Sequence, residues 1–273
     1  DAKAWMWLGV DLLAEGQHAE AAASLDTAYR LSPKDSDILY HRGRAHFLVS
    51  QDSYEEMFNL DPDSFRVHEV LGQADAAANR TAEAIAEYLL VLQRAPNTPG
   101  IHEMLGDLYW TEYKIPLAEP QYLAELSVDP NSVAANYKLG GLRVIEGNPS
   151  GAIAPLQQAL SLDPTFYKAI YYLGRAYADM GRDNDALLYL KRATTAPNDS
   201  SLKALAWYQL TRLYRREGHT DEAGIALEQF KTLRSQIDSA ENARRTALTR
   251  PSTDLPLPEQ LPPANTTGED TKP

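Results

Sequence analysis

Apolar residues in this chain recur at helical rather than strand spacing, and the stretch Tyr171–Ala193 (YYLGRAYADMGRDNDALLYLKRA) shows the pattern most cleanly. Leu173, Gly174 and Tyr177 fall on one face of a first helix. A turn is predicted at Met180–Asp185, and Ala186, Leu190 and Ala193 mark one face of a second helix. Neither stripe can be buried by its own helix, so the hairpin needs copies beside it.

The chain supplies them. Gly9, Gly43, Gly72, Gly106, Gly140 and Gly174 recur at intervals of 34, 29, 34, 34 and 34 residues. Leucine precedes five of the six. Twelve residues past the glycine stands Ala21, Ala84, Ala118, Ala152 or Ala186, and sixteen past it a large apolar residue, Leu25, Tyr88, Tyr122, Leu156 or Leu190. Pro33, Pro62, Pro96, Pro130, Pro164 and Pro197 close the units. A helix–turn–helix unit repeated at this period stacks into a solenoid, because each unit buries its apolar face only against its neighbours. The small residues let the paired helices approach closely, at some cost in helix propensity.

This pattern of Leu-Gly, an aromatic, Ala and a closing Pro resembles the tetratricopeptide repeat family over about residues 2–237. The resemblance implies an all-α, right-handed α-solenoid of about seven helix-turn-helix repeats, at roughly 2–35, 36–64, 65–98, 99–132, 133–166, 167–200 and 204–237. The seventh carries Thr211 at the glycine position. Two departures stand out. The second unit lacks five residues, which the spacing places between Phe47 and Ser53, and the Ser53/Glu56 capping spacing predicts a short second helix at Tyr54–Leu60. Pro120 and Pro155 fall inside second helices, which are expected to bend or start late. Residues 238–249 keep helical composition without an apolar stripe and predict a polar extension capping the last helix. Residues 250–273, rich in Pro and Thr, predict a disordered tail.

Composition narrows function. The formal net charge of −12 argues against a nucleic acid partner and against an anionic membrane surface. The absence of cysteine removes disulfides, thiol catalysis and thiolate metal sites, and suits a cytoplasmic or a periplasmic compartment equally. No apolar run has the length of a membrane span. The first residue, Asp1, leads us to expect a processed or excerpted segment. Among the six histidines none forms a zinc pattern. His68 and His102 share one repeat position, where packing is the plainer reading than a metal pair. With no nucleophile elbow or phosphate loop, the chain reads as a non-enzyme with no metal and no cofactor.

In the resembled family the first helices line a concave groove. The positions exposed there include Glu69, Glu103 and Asp107 in the middle and Lys168, Arg175, Arg212 and Arg215 toward the C-terminal end. Tyr137, Tyr171 and Tyr208 share one repeat position beside those cations. Together these seven residues, from Tyr137 to Arg215, are the candidate peptide-binding site, suited to an acidic or carboxylate-ended segment. Tyr40, Arg44 and Phe47 form a second groove candidate. The resulting function is a protein–protein interaction scaffold that binds a peptide or partner segment. The alternative is a repeat arm of a larger enzyme, such as a transferase or peptidase, with its catalytic domain elsewhere. A structural reading is self-association through Trp5, Trp7 and the first helix. The partner and the oligomeric state stay open.

Overall fold

The computed structural model describes residues 1–249; the tail expected at 250–273 lies outside the described residues. Thirteen α-helices and no strand occur among the described residues. They are α1 (Ala2–Ala14), α2 (His18–Leu31), α3 (Ser36–Leu60), α4 (Phe65–Ala77), α5 (Thr81–Arg94), α6 (Ile101–Thr111) and α7 (Ile115–Val128). There follow α8 (Val133–Ile145), α9 (Pro149–Leu162), α10 (Tyr167–Asp179), α11 (Asp183–Ala193), α12 (Ser200–Arg216) and α13 (Thr220–Thr249). Ten of them pair as the hairpins α1/α2, α4/α5, α6/α7, α10/α11 and α12/α13, and α3 stands undivided. The fold is an all-α helical-repeat solenoid. The described residues divide into two compact units, one of Asp1–Leu142 and one that begins at Arg143.

The repeated glycines do what their spacing implies. A β-carbon placed on Gly9, Gly72, Gly106 or Gly174 would stand 2.5, 2.6, 2.5 or 2.9 Å from Leu25, Tyr88, Tyr122 or Leu190 respectively. Each is the residue sixteen positions on, so every such hairpin closes on one glycine–large-residue contact. Leu25, Tyr122 and Leu190 are completely buried, and Tyr88 nearly so. The turns share a second device. Seven residues past the glycine position the backbone is left-handed, at Gly16, Asn79, Tyr113, Gly147, Gly181 and Gly218. This conformation reverses the chain between the two helices.

The second unit corrects the expectation drawn from its spacing. Residues 36–60 form one helix of 25 residues, with no turn between Phe47 and Ser53 and no separate helix at Tyr54–Leu60. Ser50 occupies the left-handed position and stays helical, since the stretch FLVSQDS holds no Gly, Asn or Pro to break the run. Ser53 does not cap a helix; its hydroxyl donates to the Val49 carbonyl at 2.9 Å. With no helix folded back, a β-carbon on Gly43 would meet nothing within 4 Å. In the first unit α3 instead packs on α2, where Asp26 accepts from Arg42 Nε at 2.6 Å and meets His46 Nε2 at 3.0 Å.

The internal prolines do not delay their helices: α7 starts at Ile115 and α9 at Pro149, each more than a turn ahead of Pro120 and Pro155. Helix α13 runs without a break to Thr249. No helix among the described residues is long and apolar enough to cross a membrane.

Candidate functional site

In the first unit the middle of the expected groove is not a free acidic patch. Lys138, on α8, reaches Glu103 at 2.7 Å and Asp107 at 2.5 Å. Burial alone would lower the Lys138 pKa, but hydrogen bonds to Asp107 and Glu103 outweigh it and raise the value. Asp107 also accepts from the Tyr122 hydroxyl at 2.9 Å, and burial first, then this carboxylate, raises the Tyr122 pKa. Glu69 pairs with Arg66 at 2.7 Å. These acids are neutralised within the unit. The buried carboxylate of Glu125 accepts from the backbone amides of Gly100 at 2.8 Å and Glu103 at 3.3 Å, where the N-terminal end of α6 favours negative charge.

The paired histidines are packing residues. His68 Nδ1 meets Glu87 at 2.7 Å and His102 Nδ1 meets Gln121 at 2.8 Å, each partner lying on the second helix of its own hairpin. Among the described residues no group of three or more His, Asp or Glu is placed to hold a metal ion.

Tyr40 and Phe47 are 67% and 68% exposed on α3, seven residues apart on one face, with the exposed Arg44 between them. The unbroken helix carries that line on to Tyr54, 46% exposed, which sequence reasoning assigned to another helix. Tyr137 lies in the first unit and is half-buried.

The second unit holds the remaining candidates. Tyr171 is only 4% exposed and is a packing residue, not a rung presented to a ligand. Burial raises its pKa, opposed by hydrogen bonds to Gln209 and Arg175. Gln209 is a neighbour that the groove positions did not include. Arg175 is half-buried, with Asp179 3.8 Å away one turn on. Arg212 donates to Gln209 at 3.4 Å. Ala178 and Asp179 from α10, with Gln209, Arg212, Leu213 and Arg216 from α12, line a cleft of about 200 Å³. Arg216 is committed elsewhere, bonding the Ala178 carbonyl at 3.0 Å and the Asp183 carboxylate. Lys168, Arg212 and Arg215 are exposed. Tyr208, 44% exposed, turns toward Phe230, with ring centroids 5.5 Å apart. The structure therefore sets Arg212 and Gln209 on one cleft, and the buried Tyr171 hydroxyl links Gln209 to Arg175. The face can accept carboxylates through guanidinium groups, and it offers no nucleophile–base pair.

The sequence and the fold match known proteins at this level. Two sequence models described as tetratricopeptide repeat match residues 8–56 with 103–165, and residues 143–206, together more than half of the chain. Mouse superkiller complex protein 3 is 31% identical over 96 residues, a match spanning 33% of this chain and 6% of that protein's length. The chain thus corresponds to a small fraction of its curated relative. Among solved structures, MamA superposes with a TM-score of 0.57 at 21% identity, covering 65% of this chain and 96% of that one. YrrB, a TPR protein with an unusual peptide-binding site, gives a TM-score of 0.58 at 18% identity, covering 70% and 97%. Glycine-closed hairpins, left-handed turns and these matches agree: the chain belongs to the tetratricopeptide repeat family, whose repeats mediate protein–protein interaction.

Proposed function

We propose that this protein is a non-catalytic scaffold that captures a carboxylate-bearing segment of a partner protein on the α10/α12 face of its second unit. The observation that carries this reading is the cleft lined by Arg212 and Gln209, with Arg175 bonded to the same Tyr171 hydroxyl as Gln209 and Lys168 exposed on the same first helix as Arg175. Among the described residues the hydrogen-bond partner of Arg212 is a neutral amide, so it can form charge-assisted bonds to an incoming carboxylate. Arg175 is held by Asp179 only at 3.8 Å, a contact that a ligand carboxylate can replace. In a chain of net charge −12, a cationic face of this kind distinguishes acidic partners from the rest of the surface. The likeness to YrrB supports peptide recognition by a related fold. Tyr171 contributes by fixing Gln209 and Arg175 from below rather than by touching the ligand.

The test is fluorescence anisotropy of the full chain with labelled Glu-rich and Lys-rich peptides of equal length. The Glu-rich peptide should bind, weaken as salt rises, and lose about tenfold or more in affinity in Arg175→Ala/Arg212→Ala. Equal affinity for both peptides, or unchanged binding in that variant, would dismiss the site.

A further inference from the structure

We infer that copies of this chain stack head to tail, the free face of α1 on one copy docking on the free α12/α13 face of another. The inference is independent of the peptide site. It rests on two faces built to the same repeat register as an internal junction.

That junction is visible where α12 packs on the α10/α11 hairpin. Gln209 bonds the Tyr171 hydroxyl, Leu210 is completely buried, and Leu213 lines a cleft with Ala178. One unit on from Tyr171, Ala178 and Ala193 stand Tyr208, Arg215 and Phe230. No described residue does there what α12 does one hairpin earlier. Tyr208 and Leu205 are 44% and 47% exposed, and they line an apolar pocket of about 430 Å³ with Phe230 and Ile237.

At the other end, α1 has the residues that such a face receives. Trp7, Leu8 and Asp11 stand where α12 has Gln209, Leu210 and Leu213. Leu8 is 45% exposed, whereas its repeat equivalents Leu105, Leu139, Leu173 and Leu210 are 0–3% exposed and Leu71, in the unit after the undivided α3, is half-buried. Ala4 is exposed too, although Ile38, Val67, Ile101, Ala135, Ala169 and Ala206 at the same position are at most 1% exposed. Trp7 is 58% exposed. Transferring the internal register to two copies sets Trp7 against Tyr208, and Asp11 against Arg215. The second pair is complementary in charge where the internal junction has Leu213 beside Ala178. Two different faces meeting in this way form a heterologous contact, which propagates into rings or filaments.

Sedimentation velocity on the full chain over about a hundredfold concentration range reads the contact by mass action. The wild type should gain mass with concentration. Trp7→Glu and Tyr208→Glu should each weaken association about thirtyfold or more, with unchanged helical circular dichroism. Mixed together they should form a one-to-one dimer, because each retains one intact face. A wild type that stays monomeric, single variants that still assemble, or a mixture that does not pair would each overturn the inference. So would a monomer that assembles only after residues 250–273 are removed, which would make that segment the occupant.

Discussion

Replacing glycine by alanine at one repeat position should have opposite effects in two places. In Gly106→Ala the new methyl would stand 2.5 Å from Tyr122 Cε1 and 2.8 Å from Cδ1, well inside contact distance. The Tyr122 ring is completely buried and its hydroxyl is tied to Asp107, so it cannot swing away. Overpacking of this kind costs about 1–3 kcal/mol, and the better helix propensity of alanine returns about 1 kcal/mol. The net expectation is a loss of up to about 2 kcal/mol. In Gly43→Ala the methyl meets nothing within 4 Å on an unpaired helix, so only the propensity gain of about 1 kcal/mol remains. Urea unfolding followed by circular dichroism should move the midpoint down for Gly106→Ala and up for Gly43→Ala. A loss at both positions would mean that a second helix does fold back on Gly43, and the continuous α3 would be wrong. A gain at both would remove the glycine contact as the device that closes the hairpins.

Three further expectations follow from single contacts. Tyr113 holds a left-handed backbone (φ 58°) with its side chain 88% exposed, so Tyr113→Gly should relieve strain and raise stability by about 1 kcal/mol in the same assay. Lys138→Met should cost about 2 kcal/mol, between the values for exposed and buried pairs, because it leaves Glu103 and Asp107 facing each other only partly screened. Asp26 has its pKa lowered, chiefly by its hydrogen bond to His46 and further by Arg42, against desolvation. Its contribution is therefore complete above the unfolded value of about 3.9 and is lost as pH falls through the lower folded value. Asp26→Asn should accordingly be less stable at neutral pH and flatter in its urea midpoint across the acid range than the wild type.

The contacts that close the hairpins were legible because they are local and repeated. The glycine at one position and the large residue sixteen further on name both sides of each contact. The left-handed position was also written in the sequence, as Gly16, Gly147, Gly181 and Gly218, and its replacement by Ser50 was the sign that α3 would run on. Reading the five-residue deficit as a shortened helix missed this, since a missing turn removes the reversal itself. The site was harder to read because exposure depends on the neighbouring hairpin. Tyr171 and Tyr208 occupy the same repeat position, yet Tyr171 is covered by contacts that include Gln209 on α12. Likewise, Glu103 and Asp107 read as free acids until Lys138, thirty-one residues beyond Asp107, is placed between them.

The claim that partners are held on the α10/α12 face is tested most directly by photo-crosslinking in cells that express the protein. A photoreactive amino acid would replace Lys168 or Arg212 on that face, or Leu188, which is 65% exposed on α11. The account predicts that Lys168 and Arg212 positions yield one common partner adduct and that the Leu188 position does not. The same adduct from Leu188 alone, or from all three positions equally, would contradict it.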